Sequence, residues 1–215
     1  ATETYCIGES KTESALNSFY ARASYNYMNK YLAEINFRSD ASSKFGPGNQ
    51  RGYFPSVSLG WRISDEDFMD DVEKINDLKL RLSWGQTGST NIDDFVYRQF
   101  YITGNPYIGG TTLVPGELPN PDIKWEMTSE VNGGIDFSFF NQRLFGSIDG
   151  YYRYTKGALS PSPASLEAGS PSYTSNLIDL SNKGVELEIG GDIVRSGYWT
   201  WTSKLNLALN RNKIE

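Results

Sequence analysis

Four carboxylates, Asp136, Asp149, Glu186 and Glu188, are the groups in this 215-residue sequence best placed to do chemistry. Two carboxyl groups at a suitable separation can hydrolyse a glycosidic bond, one as acid and one as nucleophile. No local pattern around these four favours catalysis. Arg81, Arg153 and Lys204 are available to pair with them, so the bland reading is a wet, charged wall. A second acidic stretch, Asp65, Glu66, Asp67, Asp70, Asp71 and Glu73, has the charge for calcium. It lacks the glycine at the sixth loop position and the oxygen spacing of an EF-hand. Acids early in a helical turn suit the helix dipole, which makes it a solvated turn. Histidine is absent, which removes the commonest general base and metal ligand. Cys6 is the only cysteine and has no internal disulfide partner. A formal charge of −6 argues against a phosphate-binding surface for nucleic acid. The sequence therefore predicts no enzyme, no cofactor and no metal site.

Binding chemistry is better represented. The segment 93–113, DDFVYRQFYITGNPYIGGTTL, places Tyr97, Phe100, Tyr101 and Tyr107 beside Arg98 and Asn105. Aromatic faces with polar tips stack on sugar rings or grip peptides, and tyrosine is favoured at interfaces for that reason. The same residues serve equally to pack the loop or to meet a partner protein. Those readings stay open at the level of sequence.

The elements that must position these groups show a period of two. Leu78, Leu80, Leu82 and Trp84 alternate with Lys79, Arg81 and Ser83. Val185, Leu187 and Ile189 alternate with Glu186 and Glu188. Trp199, Trp201, Leu205, Leu207 and Leu209 alternate with Thr200, Thr202, Lys204, Asn206 and Asn210. The pattern predicts about eight strands, near 15–26, 30–40, 53–64, 77–86, 122–138, 143–157, 182–194 and 198–211. Most reach the 9–11 residues that cross a bilayer at barrel tilt. Tight links at Tyr27–Asn29, Phe139–Gln142 and Arg195–Gly197 alternate with long ones at 41–52, 87–121 and 158–181. Residues 65–76 occupy a short-turn position. Pro55 is expected near a strand's start or at a bulge, and Gly85 and Gly88 at the base of a loop.

Only 38% of the residues are hydrophobic while 14% are aromatic, too lean in aliphatics for a packed soluble core. A transmembrane barrel explains the balance: its outer face is apolar, its lumen polar, and aromatics gather at both interfaces. Trp61, Trp84, Trp125, Tyr152, Trp199 and Trp201 are the expected interface anchors. The predicted fold class is all-β, an antiparallel up-and-down transmembrane β-barrel segment. A soluble β-sandwich glycan-binding module and a passive porin-like barrel are the alternatives.

Four segments, in order, resemble the SusC-like (RagA-like) family of TonB-dependent transporters. They are RSDASSKFGPGNQRGYFPSVSLGWRIS (38–64), INDLKLRLSWGQTGSTNI (75–92), LPNPDIKWEMTSEVNGGIDFSFFNQRLFGSIDGYYRYTKGAL (118–159) and SNKGVELEIGGDIV (181–194). The resemblance implies an outer-membrane barrel of roughly 22 strands that imports glycans or peptides. It also implies an N-terminal plug, coupling to the TonB system and a SusD-like surface lipoprotein acting as lid. Residues 1–215 are then expected to be a partial barrel, with the plug and the other strands outside them.

Overall fold

Residues with alternating polarity can satisfy every backbone hydrogen bond and still present two different faces, provided that neighbouring strands stay in register. The computed structural model, which describes residues 13–170 and 172–215, shows that arrangement. Cys6 lies outside the described residues. The strands are β1 (Leu16–Tyr27), β2 (Tyr31–Ser42), β3 (Arg51–Arg62), β4 (Ile75–Ser89), β5 (Tyr101–Tyr107), β6 (Gly110–Pro115), β7 (Glu126–Phe139), β8 (Leu144–Pro163), β9 (Ser172–Ser196) and β10 (Trp199–Ile214). Eight form one antiparallel sheet in the order β1-β2-β3-β4-β7-β8-β9-β10, an up-and-down meander, and β5 and β6 form a separate hairpin.

All eight expected strands are present, and the differences from expectation are confined to the loop end. The link 87–121 contains the last residues of β4 and the β5–β6 hairpin. The link 158–181 is mostly strand, leaving only residues 164–171 between β8 and β9. Its Ser and Pro content reads as loop, yet Pro161 pairs with Thr174 and Pro163 with Ser172. Proline is tolerated there because β7 stops pairing with β8 at Lys156, so the missing N–H has no ladder on that side. The same reasoning accounts for Pro55, which lies near the start of β3, opposite Phe37 and just outside the β3–β4 ladder that runs from Ser56.

The short turns share one end of the sheet. Met28 and Asn29 have φ of 52° and 56°, a hairpin turn whose twist matches that of the strands it joins. Between β3 and β4 the chain makes two 3₁₀ turns, Ile63–Asp65 and Asp67–Met69, the helical turn expected there. The acids there are tied down as well as solvated. Lys30 Nζ lies 2.9 Å from Asp67 and 3.6 Å from Glu66, and the Trp61 indole donates to Glu66 at 2.8 Å. Hydrogen bonds from Tyr31, then Trp61, hold the Glu66 carboxyl below its ordinary pKa, and the Asp67 bond raises that of Lys30.

Register decides the faces. Directly opposed residues run Tyr27, Tyr31, Trp61, Leu80, Ile135, Ile148, Leu187 and Leu207 on one side of the sheet. One residue along, Lys79 opposes Asp136, while Asp149 opposes Glu186 on the other side. A sandwich would cover the apolar side with a second sheet. Here Leu80, Leu82, Ile135, Ile148, Leu205 and Leu207 stand exposed.

The same rows show the tilt. The row named above starts on aromatics beside the short turns and ends on mid-strand leucines. In β10 the matching aromatics, Trp199 and Trp201, lie six to eight residues nearer the turn than Leu207, across the seven strand steps that separate β1 from β10. The apolar band therefore climbs about one residue per strand relative to the hydrogen-bonded rows. With ~3.3 Å per residue and ~4.8 Å between strands, that is a tilt of about 35°. Closed barrels have strands inclined by roughly that amount. Leu187 falls in the middle of this band. Replacing it by Arg in the full-length barrel is expected to cost about 2–4 kcal/mol of folding stability in bilayers, measured by denaturant-dependent refolding into vesicles.

Candidate functional site

On the polar face Asp136, Asp149 and Glu188 are held in ion pairs, while Glu186 stands exposed on the same wall. The Arg81 guanidinium donates to both oxygens of Asp136 at 2.8 Å, and to Asp149 at 2.9 Å. Arg153 holds Glu130 at 2.7 Å, and Lys204 Nζ lies 3.7 Å from Glu188. These groups stand on adjacent strands at nearly the same register, which is why alternation alone brings them together. Every member is partly exposed, as suits a water-filled lumen where a pair is held loosely. Asp136 and Asp149 share one arginine between them, and its two-sided grip fixes both carboxyl groups against the wall.

At the loop end the organising feature is an aromatic cluster that sequence periodicity missed. Phe45, Phe54, Ile92, Ile123 and Trp125 form a buried core, with Val96, Tyr97, Met127 and Leu159 packed against it. Trp125, expected among the interface anchors, is only 8% exposed. Its ring lies 5.0 Å from that of Phe45 and 5.3 Å from that of Phe54, and its indole N–H donates to the Gln50 carbonyl at 2.9 Å. It departs from the strand pattern because β7 begins only at Glu126, after the turn at Asn120. The other five anchors lie on the apolar face as expected.

The cluster sits where β3 and β4 part. Their ladder stops at Ser56–Gly85, and the Phe54 ring closes over Gly88, where a Cβ would come within 2.3 Å of it. Gly85 and Gly88 are thus inside β4 rather than at a loop base, and Gly88 is required by close approach. Polar links complete the mouth. Lys44 Nζ donates to the carbonyl of Ile92 at 2.6 Å. Asn120 Nδ2 donates to Thr174 O at 2.9 Å, and the Lys124 N–H donates to Asn176 at 2.8 Å. Phe45 gave no signal in the sequence, since it precedes a Gly-Pro-Gly turn and belongs to no alternating run.

The four aromatics singled out by type divide between two environments. Tyr97 packs against the buried cluster, with Arg98 5.2 Å over its ring. Phe100 meets Phe95 edge-on at 6.2 Å and remains half exposed. Tyr101 and Tyr107 stand on the β5–β6 hairpin, 63% and 73% exposed. Ile102, Ile108 and Leu113 are exposed on the same hairpin. The structure therefore does not gather the four into one surface.

A single meandering sheet with an exposed apolar face, an ion-paired polar face, short turns at one end and long elaborated links at the other is a section of an outer-membrane β-barrel wall. The model of the TonB dependent receptor-like β-barrel family matches residues 5–214, and the chain belongs to that family. The TonB-dependent receptor SusC of Bacteroides thetaiotaomicron is 38% identical over 211 residues, covering 94% of this chain and 21% of SusC. A TonB-dependent receptor of Formosa agariphila is 39% identical over 207 residues, 96% of this chain and 20% of its own length. The RagAB peptide transporter superposes with a TM-score of 0.87 at 29% identity, over 94% of this chain and 22% of the solved one. The chain thus spans about a fifth of the length of the relatives it matches. Its kin are receptors and transporters of the bacterial outer membrane, not enzymes.

The buried contact at Gly88 has a direct consequence. Gly88→Ala forces a methyl group into the Phe54 and Trp125 rings, so the cluster must open. The expected cost is about 1–3 kcal/mol. It should appear as faster limited proteolysis between residues 90 and 125 in the full-length protein, with the barrel itself still assembled.

Proposed function

We propose that the complete protein is an active importer of glycans or peptides, working with a SusD-like surface lipoprotein and driven through TonB. Family membership and the relatives SusC and RagAB support this reading. In it, residues 1–215 contribute a part of the barrel, and the plug and remaining strands lie elsewhere in the protein. The single observation that carries the role of this section is the β5–β6 hairpin. One short hairpin exposes Tyr101, Ile102, Tyr107, Ile108 and Leu113 on its two faces, and exposed apolar area of this kind invites association. The link that leads into the hairpin is anchored by Tyr97 on the buried cluster, and the Gly116 N–H donates to the Phe100 carbonyl at 2.8 Å across the hairpin's base. Tyr101 and Tyr107 are then the contacts to substrate or lid, while Tyr97 and Phe100 position them.

The test separates the two pairs. In the full-length transporter, Tyr101→Ala with Tyr107→Ala is expected to weaken lid association or substrate uptake by about tenfold, typical of losing exposed aromatic anchors. Barrel assembly, read by heat-modifiable gel mobility, should stay intact. Tyr97→Ala should instead loosen the 90–125 link, seen by proteolysis. Wild-type uptake and lid affinity in the double variant would show that the hairpin is a bystander.

A further inference from the structure

The outward face carries charge in its strands at one end only. Arg51 lies two residues beyond Tyr53 in β3, Lys156 opposes Met127, Lys183 opposes Tyr152, and Arg211 opposes Lys183. All four share the face of Leu80, Ile148 and Leu187. Between them and the aromatics beside the short turns, the described strands place no charged residue on that face. The row that reaches Lys183 and Arg211 begins on Ala23, Ile35, Val57 and Trp84. Because the band climbs about one residue per strand, cations scattered in register come to one height, just outside Tyr53, Trp84 and Tyr152.

These cations are available. Among the described residues no carboxylate lies within ion-pair distance of Lys156, Lys183 or Arg211, and all three are exposed. The neighbouring acids are already engaged. Asp179 accepts from the Tyr154 hydroxyl at 2.6 Å and from Gly157 N–H, and Glu215 accepts from Lys213 at 2.6 Å. Asp179 and Glu215 lie near enough to act electrostatically on Lys156 and Lys183, yet neither closes an ion pair with them. A chain of net charge −6 has thus gathered more positive than negative charge where its apolar wall meets the aqueous side.

Directly beneath Lys183 and Arg211 runs an open groove of about 630 Å³, walled by Val131, Tyr152, Val185 and Leu209. Its floor is Gly150, opposed by Gly133 in the next strand. A Cβ at Gly150 would meet nothing closer than the Gly133 carbonyl at 4.0 Å, so this shallow depression has open space at its floor. An apolar channel ending in two unpaired cations matches an acyl chain ending in a phosphate. We propose that this groove binds an anionic, phosphate-bearing lipid of the outer leaflet, with its phosphate on Lys183 and Arg211 and an acyl chain along Gly150. Lys156 and Arg51 extend the positive belt for further headgroup charge.

The test uses the full-length transporter, delipidated in neutral detergent and titrated with phosphatidylglycerol, with bound lipid counted by native mass spectrometry. Lys183→Gln with Arg211→Gln should weaken binding by about fivefold for each charge removed. Gly150→Leu, which fills the groove and leaves both cations, should also lower the count. Lys204→Gln removes one such charge from the polar face and should leave the count unchanged. Net-neutral phosphatidylcholine should bind wild type no better than phosphatidylglycerol binds the double variant, and equimolar inorganic phosphate should displace nothing. Heat-modifiable mobility confirms that each variant is an assembled barrel. Wild-type binding in the double variant, an equal loss in Lys204→Gln, or displacement by inorganic phosphate would each overturn the site. Full binding by Gly150→Leu would overturn the placement of the acyl chain.

Discussion

Everything in this sheet depends on neighbouring strands keeping the same register parity. In hydrocarbon a backbone N–H or C=O without a partner costs several kcal/mol, so each strand must be laddered on both sides through the bilayer. Side chains alternate strictly, and a slip of one residue would carry Lys79, Arg81 and Glu186 into lipid. Eight strands hold parity across the membrane band, with bulges only near the turns and in the extension of β8 and β9. The lumen ion pairs, the aromatic anchors and the cationic belt are all consequences of that shared phase.

Tilt is the second consequence. Hydrogen-bonded rows run obliquely to the membrane, so a row that begins on an apolar residue in β1 ends on a cation in β10. Residues far apart in register thereby come to the same depth. This is why Arg51 and Arg211 belong to one level although no row joins them.

Where the bilayer ends, so does the need for full pairing, and the chain uses the freedom. β3 and β4 separate above Ser56, and the gap is filled by Phe54 and Trp125 rather than by a ladder. That small buried core is what allows a long link to hold an exposed hairpin at a defined place. It resembles a soluble-protein core in miniature, set on a wall that otherwise has none.

The sequence by itself determined the eight wall strands, their faces and the alternation of short and long links, because a period of two is a local property of each strand. It also showed that Arg81, Asp136 and Asp149 share a face. Only the tertiary structure decided the rest. Trp125 looks like an interface anchor until Phe45 and Phe54, distant in sequence, enclose it. Gly88 looks like loop until a ring from the neighbouring strand proves to need its missing side chain. Residues 158–163 and 172–181 read as loop from Ser and Pro, yet they extend β8 and β9 because β8 has a free edge that tolerates proline. Tyr97 and Tyr101 are alike in sequence, yet one packs half-buried against the cluster while the other is exposed. In each case the deciding contact is between segments that no local pattern relates, so packing and pairing, rather than composition, set the outcome.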